Sequence, residues 1–368
     1  MQLQPHTFRE YDIRGVVGKD VDAEVFKTLG KAYVRMLRGK CPNKTIVVGR
    51  DGRLHSKELA YAFIDGVCAA GLNVVDLGQV PTPLVYFATN VLKVDGGAMV
   101  TASHNPGEYN GLKMSIGTKS IHGKQIQKLL EIGQQGDFPE AKGSVTITRT
   151  DLVPRYIKRI TRDVKLKRKL KVVVDAGNGA SGPLGVALYE ALGCDVIPLY
   201  CEVDGTFPNH HPDPTIEKNL KDLKKLVKKH KADLGLAFDG DGDRIGGVDE
   251  QGNMLWGDRL LALFSRAILK DKPGATVIGE VKCSRSVYEY IRKNGGNAVM
   301  SRTGHSPIKA KMIETKAQIA GEMSGHMFFK HRWYGFDDAT YAGARLLEVV
   351  AQNKKPLSAL LTAIPEKF

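Results

Sequence analysis

Three similar α/β domains, with mixed and mostly parallel sheets flanked by helices around a central cleft, are the fold that this sequence predicts. The chain of 368 residues is longer than one compact core normally allows. A β-branched run, a small-residue loop and a helix-like stretch follow one another three times. The run and loop of each repeat occupy 45–53, 171–182 and 275–285. Strands that alternate with helices in this way are typical of α/β layers.

Two short stretches mark the predicted domain boundaries. Polar residues cluster at 143–150, and a turn-rich stretch occupies 249–252. The predicted domains are therefore 1–150, 151–253 and 254–368.

The composition is that of an ordinary globular protein. Hydrophobic residues make up 42% and charged residues 26% of the chain, which excludes a disordered polypeptide. The N-terminus lacks a signal-peptide pattern, and no apolar run is long enough to span a bilayer. The five cysteines are scattered and form no CxxC pair, which fits a reducing compartment. We therefore expect a cytoplasmic protein with no membrane partner.

The formal net charge of +14 allows two interpretations, nucleic-acid or membrane binding and attraction of a phosphorylated substrate. The densest basic stretch is 217–231, where Leu220, Leu223, Leu226 and Val227 recur at helical spacing. Its lysines should therefore lie on the outer face of a solvated helix. No aromatic residues alternate with them, so we expect no nucleic-acid partner.

The segment GAMVTASHNPGEYNG at 97–111 is the first that suggests chemistry. A short apolar run ends in a turn where Pro106 fixes the backbone, which should present Ser103 on a rigid, exposed bend. A serine that carries a phosphoryl group needs a base or a positive environment, and His104 and Lys113 lie close in sequence. A surface turn with an N-capping serine would show the same pattern.

The segment LGLAFDGDGDR contains the strongest single signal in the sequence. A buried-type strand leads into Asp239, Asp241 and Asp243, which are separated only by glycines. Three carboxylates this close repel one another unless a cation lies among them. Hard carboxylate oxygens favour Mg²⁺ over soft metals, so we expect a magnesium site here.

An EF-hand calcium loop is an alternative interpretation of the same segment. Carboxylates fall at positions 1, 3, 5 and 12 of such a loop if Asp239 is the first and Glu250 the last. Position six, however, is Arg244 where an EF-hand needs glycine, and a strand precedes the loop instead of a helix. We reject the EF-hand.

A dinucleotide site is a second alternative. Gly177, Gly179 and Gly182 satisfy G-x-G-x-x-G after a strand, and Glu202 follows about 20 residues further on. This hypothesis explains neither the aspartates nor the serine turn. We prefer the interpretation that these glycines allow a tight strand-to-helix turn at the start of a domain.

The segment IAGEMSGHMFF suits a polyhydroxylated ligand. Glu322, Ser324 and His326 place an acceptor, a hydroxyl and an imidazole at alternating positions. A hairpin with ordinary polar turn residues would look similar. Upstream, Arg302 and His305 lie in another small-residue loop.

Seven segments together resemble the α-D-phosphohexomutase superfamily: YDIRG, TASHNPGEYNGLK, DAGNGASG, DGDGDR, VKCS, RTGHS and GEMSGH. GEMSGH is similar to the sugar loop of the phosphomannomutase/phosphoglucomutase branch, whereas the phosphoglucosamine mutase branch tends to carry glutamine where Met323 stands. In YDIRG, Arg14 stands just before a glycine and is well suited to bind a phosphate.

The resemblance implies a role for each matched position. Ser103 would be phosphorylated and would complete a Mg²⁺ shell with Asp239, Asp241 and Asp243. The implied catalytic residues are Ser103, His104, Lys113 and Arg244. The implied substrate-binding residues are Tyr11, Arg14, Lys282, His305, Glu322, Ser324 and His326.

The resemblance also implies the reaction, an interconversion of hexose 1-phosphate and hexose 6-phosphate through a phosphoserine and a bisphosphorylated sugar. Mannose and glucose phosphates are the expected substrates, a hexose 1,6-bisphosphate the expected activator, and a monomer the expected state. The family normally has a fourth domain with an Arg-Ser-Asn-type loop, and no such motif occurs in these 368 residues. The alternative interpretation is therefore a fragment without that domain, which binds metal and phosphosugar with little or no turnover.

Overall fold

The computed structural model describes residues 2–138, 140–147, 151–362 and 364. The described chain forms two compact units. Unit 1 comprises Met1–Pro154 and Asp204–Thr206, and unit 2 comprises Arg155–Val203 and Phe207–Phe368. Unit 1 contains one sheet and unit 2 contains two, which together confirm the three predicted α/β domains. The predicted boundary at position 150 lies outside the described residues and, like the boundary at 253, stays a prediction.

Unit 1 is built on a mixed seven-stranded sheet. Its strands are β1 (Ile13–Val16), β2 (Thr45–Arg50), β3 (Asn73–Gln79), β4 (Gly96–Val100), β5 (Tyr109–Ile116), β6 (Lys119–Ser120) and β7 (Val145–Ile147). Its helices are α1 (Ala23–Met36), α2 (Ser56–Ala69), α3 (Thr82–Val91) and α4 (Lys124–Gln135). The order is β1-β5-β4-β2-β3-β7 with β6 beside β5, and β4, β2, β3 and β7 run parallel. Helices α1 and α2 pack closely, since a Cβ on Gly66 would lie 2.0 Å from the carbonyl oxygen of Lys27.

Unit 2 begins within α5 (Leu152–Asp163). Its first sheet contains β8 (Lys171–Asp175), β9 (Asp195–Leu199), β10 (Leu234–Phe238), β11 (Ile245–Asp249) and β12 (Met254–Leu255), in the order β12-β11-β10-β8-β9. Its second sheet contains β13 (Thr276–Glu280), β14 (Asn297–Ser301), β15 (Ile319–Gly321) and β16 (Met327–Phe329), in the order β14-β13-β15-β16. The helices are α6 (Gly182–Ala191), α7 (Lys221–His230), α8 (Gly257–Asp271), α9 (Arg285–Lys293), α10 (His305–Thr315), α11 (Ala339–Gln352) and α12 (Leu357–Leu361).

The three predicted strand-loop-helix repeats are present as β2–α2, β8–α6 and β13–α9. Their central strands are β-branched and buried, as expected for strands covered on both faces. The basic stretch also forms the expected helix, because Leu223 and Val227 of α7 are buried while Lys225 and Lys228 are exposed. Among the described residues, none of the helices is long and apolar enough to cross a membrane.

The segments with suspected chemistry follow the ends of strands in their own units. In unit 1, the serine segment follows β4, the strand next to β2 in the sheet. In unit 2, the aspartate segment follows β10, and the segment GEMSGH connects β15 to β16 in an antiparallel hairpin. The carboxyl ends of parallel strands are where α/β proteins place their ligand sites.

Candidate functional site

The serine loop comprises the residues between β4 and β5, Thr101 to Glu108, and it holds Ser103 in an unusual backbone conformation. Ser103 has a φ of +53° and is only 1% exposed. Its backbone N–H donates to Thr101 Oγ1 at 2.8 Å, and its Oγ lies 3.2 Å from His104 Nδ1. The prediction of an exposed serine was therefore wrong, because the left-handed backbone and these contacts turn the residue into the protein.

Two arginines bind the serine loop from neighbouring segments of unit 1. Arg53 Nη2 donates to the carbonyl oxygen of Ser103 at 2.8 Å. Arg14, in β1, donates from Nη1 to the carbonyl oxygen of Ala102 at 3.2 Å and to the side chain of Asn105 at 2.5 Å. Unit 1 thus brings the predicted residue Arg14 to the serine loop.

The remaining predicted residues of unit 1 lie in β5, just before β1 and in the serine loop itself. Lys113 lies in β5 opposite Met99 of β4 and is 5% exposed. Tyr11 precedes β1 and is half-buried, as is His104. The guanidinium of Arg53 at the carbonyl oxygen of Ser103 contributes to the positive environment that a phosphoryl carrier requires.

The aspartate loop follows β10 and gathers three carboxylates in a fully buried position. Asp239, Asp241 and Asp243 are each 0% exposed, and one ligand oxygen from each lies within 4.8 Å of the others. The backbone N–H groups of Gly242 and Arg244 donate to Asp239 Oδ1 at 2.9 and 3.1 Å. Buried carboxylates at such distances repel one another strongly. These residues can therefore hold a metal ion, and their hard oxygen ligands fit a divalent cation of the Mg²⁺ or Ca²⁺ type.

A histidine connects the aspartate loop to the hairpin β15–β16. Arg244 Nε donates to His326 Nε2 at 3.0 Å. His326 Nδ1 in turn lies 3.1 Å from Asp337 Oδ2 and 3.5 Å from Asp243 Oδ1. Since Nε2 accepts from Arg244, this arrangement places a proton on Nδ1. Unit 2 therefore brings Arg244 and His326 together beside the three aspartates.

Asp337 is a further buried carboxylate behind His326. Burial alone would raise its pKa, but Lys309 Nζ, 3.1 Å from Asp337 Oδ1, and the neighbouring His326 hold the pKa well below its usual value. Asp243, His326 and Asp337 also have ligand atoms within 4.8 Å of one another. Because Lys309 already compensates the charge of Asp337, this second group fits a cation less well than the aspartate loop does.

Two buried glutamates organise the predicted sugar loop. Glu322 is 2% exposed and accepts the backbone N–H of Gly304 at 2.6 Å, and burial raises its pKa. Glu280, at the end of β13, is 0% exposed and accepts the backbone N–H of Met323 at 2.7 Å and the hydroxyl of Thr303. These bonds join the segments RTGHS and GEMSGH.

The other predicted residues of unit 2 surround this pair of segments. His305 is 8% exposed, and its ring centroid lies 5.9 Å from that of His326. Ser324 is half-buried, and Lys282 and Arg302 are exposed. A cavity of about 950 Å³ is lined by Lys282 and by Met323 of GEMSGH, so two of the predicted segments border one cavity that is large enough for a phosphorylated hexose.

The glycine-rich loop after β8 packs against the aspartate loop. A Cβ on Gly179 would lie 2.8 Å from the carbonyl oxygen of Gly240, and one on Gly182 would lie 2.1 Å from that of Cys201. Ala180 N–H donates to the same Gly240 oxygen at 3.0 Å. These glycines are required for close packing between two loops, which supports the preferred interpretation over a dinucleotide site.

Sequence reasoning missed four charged residues that hold these loops: Arg53, Glu280 and Asp337, which are buried, and Lys309, which is half-buried. A signal existed for Glu280, because a charged residue at the end of a buried strand must find a partner. Arg53, three positions past the end of β2, carried no such signal. Lys309 and Asp337 had no such signal. The three aspartates belong to unit 2 and Ser103 to unit 1, and a contribution of Ser103 to the metal shell stays a prediction.

Comparison with known proteins places the chain in one family. Models of phosphoglucomutase/phosphomannomutase α/β/α domains I, II and III match residues 5–140, 154–252 and 256–368. A phosphomannomutase/phosphoglucomutase of Pseudomonas aeruginosa is 49% identical over 365 residues, which are 99% of this chain and 78% of the relative. A phosphoglucomutase of Neisseria meningitidis is 45% identical over 98% of this chain and 78% of its own length.

Solved structures agree with these relatives. The crystal structure of a phosphoglucomutase/phosphomannomutase family protein from Burkholderia thailandensis superposes with a TM-score of 0.96 at 47% identity, covering 100% of this chain and 81% of the other. With matches at this level over nearly the whole chain, this protein belongs to the phosphoglucomutase/phosphomannomutase family.

Proposed function

We propose that the chain is a phosphosugar mutase that interconverts the 1-phosphate and 6-phosphate of mannose, glucose or both. The observation that carries the proposal is the aspartate loop, in which three fully buried carboxylates lie within 4.8 Å of one another. Phosphoryl transfer requires a cation at such a place, because negative charge must be neutralised while the phosphoryl group moves. The family assignment supports the same reaction.

Ser103 is the proposed carrier of the phosphoryl group. A sugar hydroxyl attacks the phosphorus of phosphorylated Ser103, the bond from phosphorus to the serine oxygen breaks, and the hydroxyl proton leaves. Lys113 is the proposed acid/base at this step, and His104 lies 3.2 Å from the serine oxygen. The resulting bisphosphorylated sugar then reorients in the site and transfers its other phosphoryl group back to Ser103.

Asp239, Asp241 and Asp243 would hold Mg²⁺ together with Ser103. The ion, when bound, would neutralise charge on the transferring group. Arg244 is held beside this place by its bond to His326, so its guanidinium can contact a phosphate oxygen there.

The substrate would be bound by groups of both signs. Glu322 and Ser324 are proposed to accept and donate hydrogen bonds with sugar hydroxyls. The residues proposed to line the rest of the substrate site are Tyr11, Arg14, Lys282, His305 and His326. A hexose 1,6-bisphosphate would act as activator by phosphorylating Ser103, in a monomeric cytoplasmic enzyme.

The proposal is tested by intact mass of the protein before and after incubation with a hexose 1,6-bisphosphate and Mg²⁺. We expect a gain of one phosphoryl group in the native chain and none in Ser103→Ala. Turnover of glucose 1-phosphate and mannose 1-phosphate is then measured on the same samples. A gain that persists in the alanine variant would contradict the assigned carrier, and phosphorylation with metal binding but no turnover would favour the fragment interpretation.

A further inference from the structure

We propose that Arg53 is a positioning residue for phosphoryl transfer, because it fixes the backbone of the serine loop through that loop's own carbonyl oxygens. The proposal rests on the proposed role of Ser103 as carrier. Arg53 lies outside the set of residues assigned to metal, sugar or proton transfer. Its guanidinium makes four hydrogen bonds to main-chain oxygens of the serine loop and of the first residue of β5.

The contacts of Arg53 span the whole loop. Nη2 donates to the carbonyl oxygens of Ser103 at 2.8 Å and Asn105 at 2.6 Å. Nη1 donates to those of Pro106 at 2.7 Å and Tyr109 at 3.1 Å. One rigid guanidinium therefore fixes four carbonyl oxygens, from the serine itself to the first residue of β5.

The arginine is itself fixed in place. Its side chain is 0% exposed, and Nε lies 3.2 Å from Asp51 Oδ2, a carboxylate at the end of β2. Asp51 Oδ1 accepts the backbone N–H of Arg53 at 3.1 Å and the hydroxyl of Ser56 at 2.5 Å. The segment Asp204–Thr206 packs against the turn that contains Arg53. A Cβ on Gly205 would lie 2.8 Å from the Cα of Arg53, so the two backbones are in close contact.

The loop needs such support because its central residue is strained. Ser103 has a φ of +53°, and a residue with a side chain occupies this region only where its surroundings determine it. A local bond from Ser103 N–H to Thr101 Oγ1 contributes, but it lies within the same loop. The bonds from Arg53 connect the strained residue to the turn between β2 and α2, so they set where the serine oxygen lies relative to the sheet.

A lysine cannot replace this arginine. An ammonium has three donors on one atom, whereas the planar guanidinium carries donors on separate nitrogens that reach several acceptors at once. We therefore expect Arg53→Lys to keep the charge beside Asp51 and to lose most of the four carbonyl bonds. The loop should then sample other conformations, and the serine oxygen should leave the position required for in-line transfer.

The experiment compares Arg53→Lys with Arg50→Lys. Arg50 is the matched control, because it is the last residue of β2, three positions before Arg53, and lies 3.9 Å from a carboxylate, Asp76. Among the described residues, the four carbonyl bonds come from Arg53 and not from Arg50. We expect Arg53→Lys to lower kcat and the rate of serine phosphorylation by about 100-fold per folded molecule, with KM changed less than about threefold. Arg50→Lys should stay within about twofold of the native chain on both readouts.

A second variant separates positioning from general destabilisation. In Arg53→Gly, free guanidinium at a low, non-denaturing concentration should enter the vacated site. It should raise the rate of serine phosphorylation in this variant at least about tenfold, whereas urea at the same concentration should not. Amide hydrogen exchange in Arg53→Lys should rise in the serine loop and remain native in the aspartate loop.

The outcomes distinguish this proposal from the proposed function. A native kcat per folded molecule in Arg53→Lys would overturn the positioning role, and so would a loss that follows the unfolded fraction and shows no rescue in Arg53→Gly. If the native chain is not phosphorylated on Ser103 at all, the proposed function fails first. In that case the exchange measurement still tests whether Arg53 fixes the loop.

Discussion

The serine loop and the aspartate loop are held by hydrogen bonds of opposite polarity. In the serine loop, the side chain of Arg53 donates to backbone carbonyl oxygens. In the aspartate loop, the backbone N–H groups of Gly242 and Arg244 donate to the side chain of Asp239. The first loop receives its positive charge from the protein itself, whereas the second collects negative charge at one point. We infer that the serine loop is complete without a ligand and that the aspartate loop reaches full stability only with a cation.

The largest effect that would test this contrast is expected for Asp241→Asn. The variant removes one of three buried negative charges, so without divalent metal its melting temperature should rise above that of the native chain. The stabilisation by Mg²⁺ should shrink in the variant, and mutase activity should fall by at least about 100-fold. Thermal unfolding with a chelator and with Mg²⁺, together with initial rates, measures all three quantities.

Asp195→Asn is the control for that experiment. Asp195 begins β9 in the same sheet, but its side chain is 51% exposed, and its recorded ion pair with Lys171 is at 3.8 Å. Its replacement should change stability by less than about 0.5 kcal/mol under both conditions. A lower melting temperature of Asp241→Asn in the chelator would mean that the three carboxylates are already compensated within the protein, and the contrast between the loops would fail.

The next effect concerns the serine loop and is expected for Gly111→Ala. A Cβ at this position would lie 2.1 Å from the carbonyl oxygen of Ile13 and 3.0 Å from that of Thr101, both backbone atoms that cannot move aside. We expect a loss of about 2–3 kcal/mol in the free energy of unfolding, measured by urea titration. Gly107→Ala is the control, because a Cβ there would meet no heavy atom of the described residues within 4 Å apart from its chain neighbours. It should change stability by less than about 0.5 kcal/mol. Equal losses in the two variants would show that the serine loop is not rigidly packed.

The two loops also differ in how much of them the sequence could reveal. Asp239, Asp241 and Asp243 are neighbours in sequence, so alternating carboxylates after an apolar strand predicted both their meeting and their chemistry. The partners of Arg53 are backbone oxygens about fifty positions further on, and a carbonyl oxygen has no signature in a sequence. Asp337 was missed for the same reason, because its partners Lys309 and His326 are joined to it only by the tertiary fold.

Two arginines also surround a buried histidine just after the hairpin β15–β16, and the smallest expected effect concerns this histidine. His331 is 4% exposed and accepts a hydrogen bond at Nδ1 from Arg345 Nη2 at 3.3 Å. Burial, Arg345 and then Arg332 lower the pKa of His331 to about 4. Above its ordinary pKa of about 6.5 the imidazole is neutral in both folded and unfolded chains, so it adds no pH dependence there.

Between pH 6.5 and about 4 the unfolded chain takes up a proton at His331 while the folded protein does not, so stability falls as the pH is lowered. After allowance for solvent screening, we expect a loss of about 1–2 kcal/mol between pH 7 and pH 5 from this residue. His331→Gln should reduce the pH dependence of the free energy of unfolding by that amount, as measured by urea titration at both pH values. Comparing the slopes removes any packing difference, which is the same at pH 7 and pH 5. An unchanged slope would show that Arg345 and Arg332 do not hold His331 neutral.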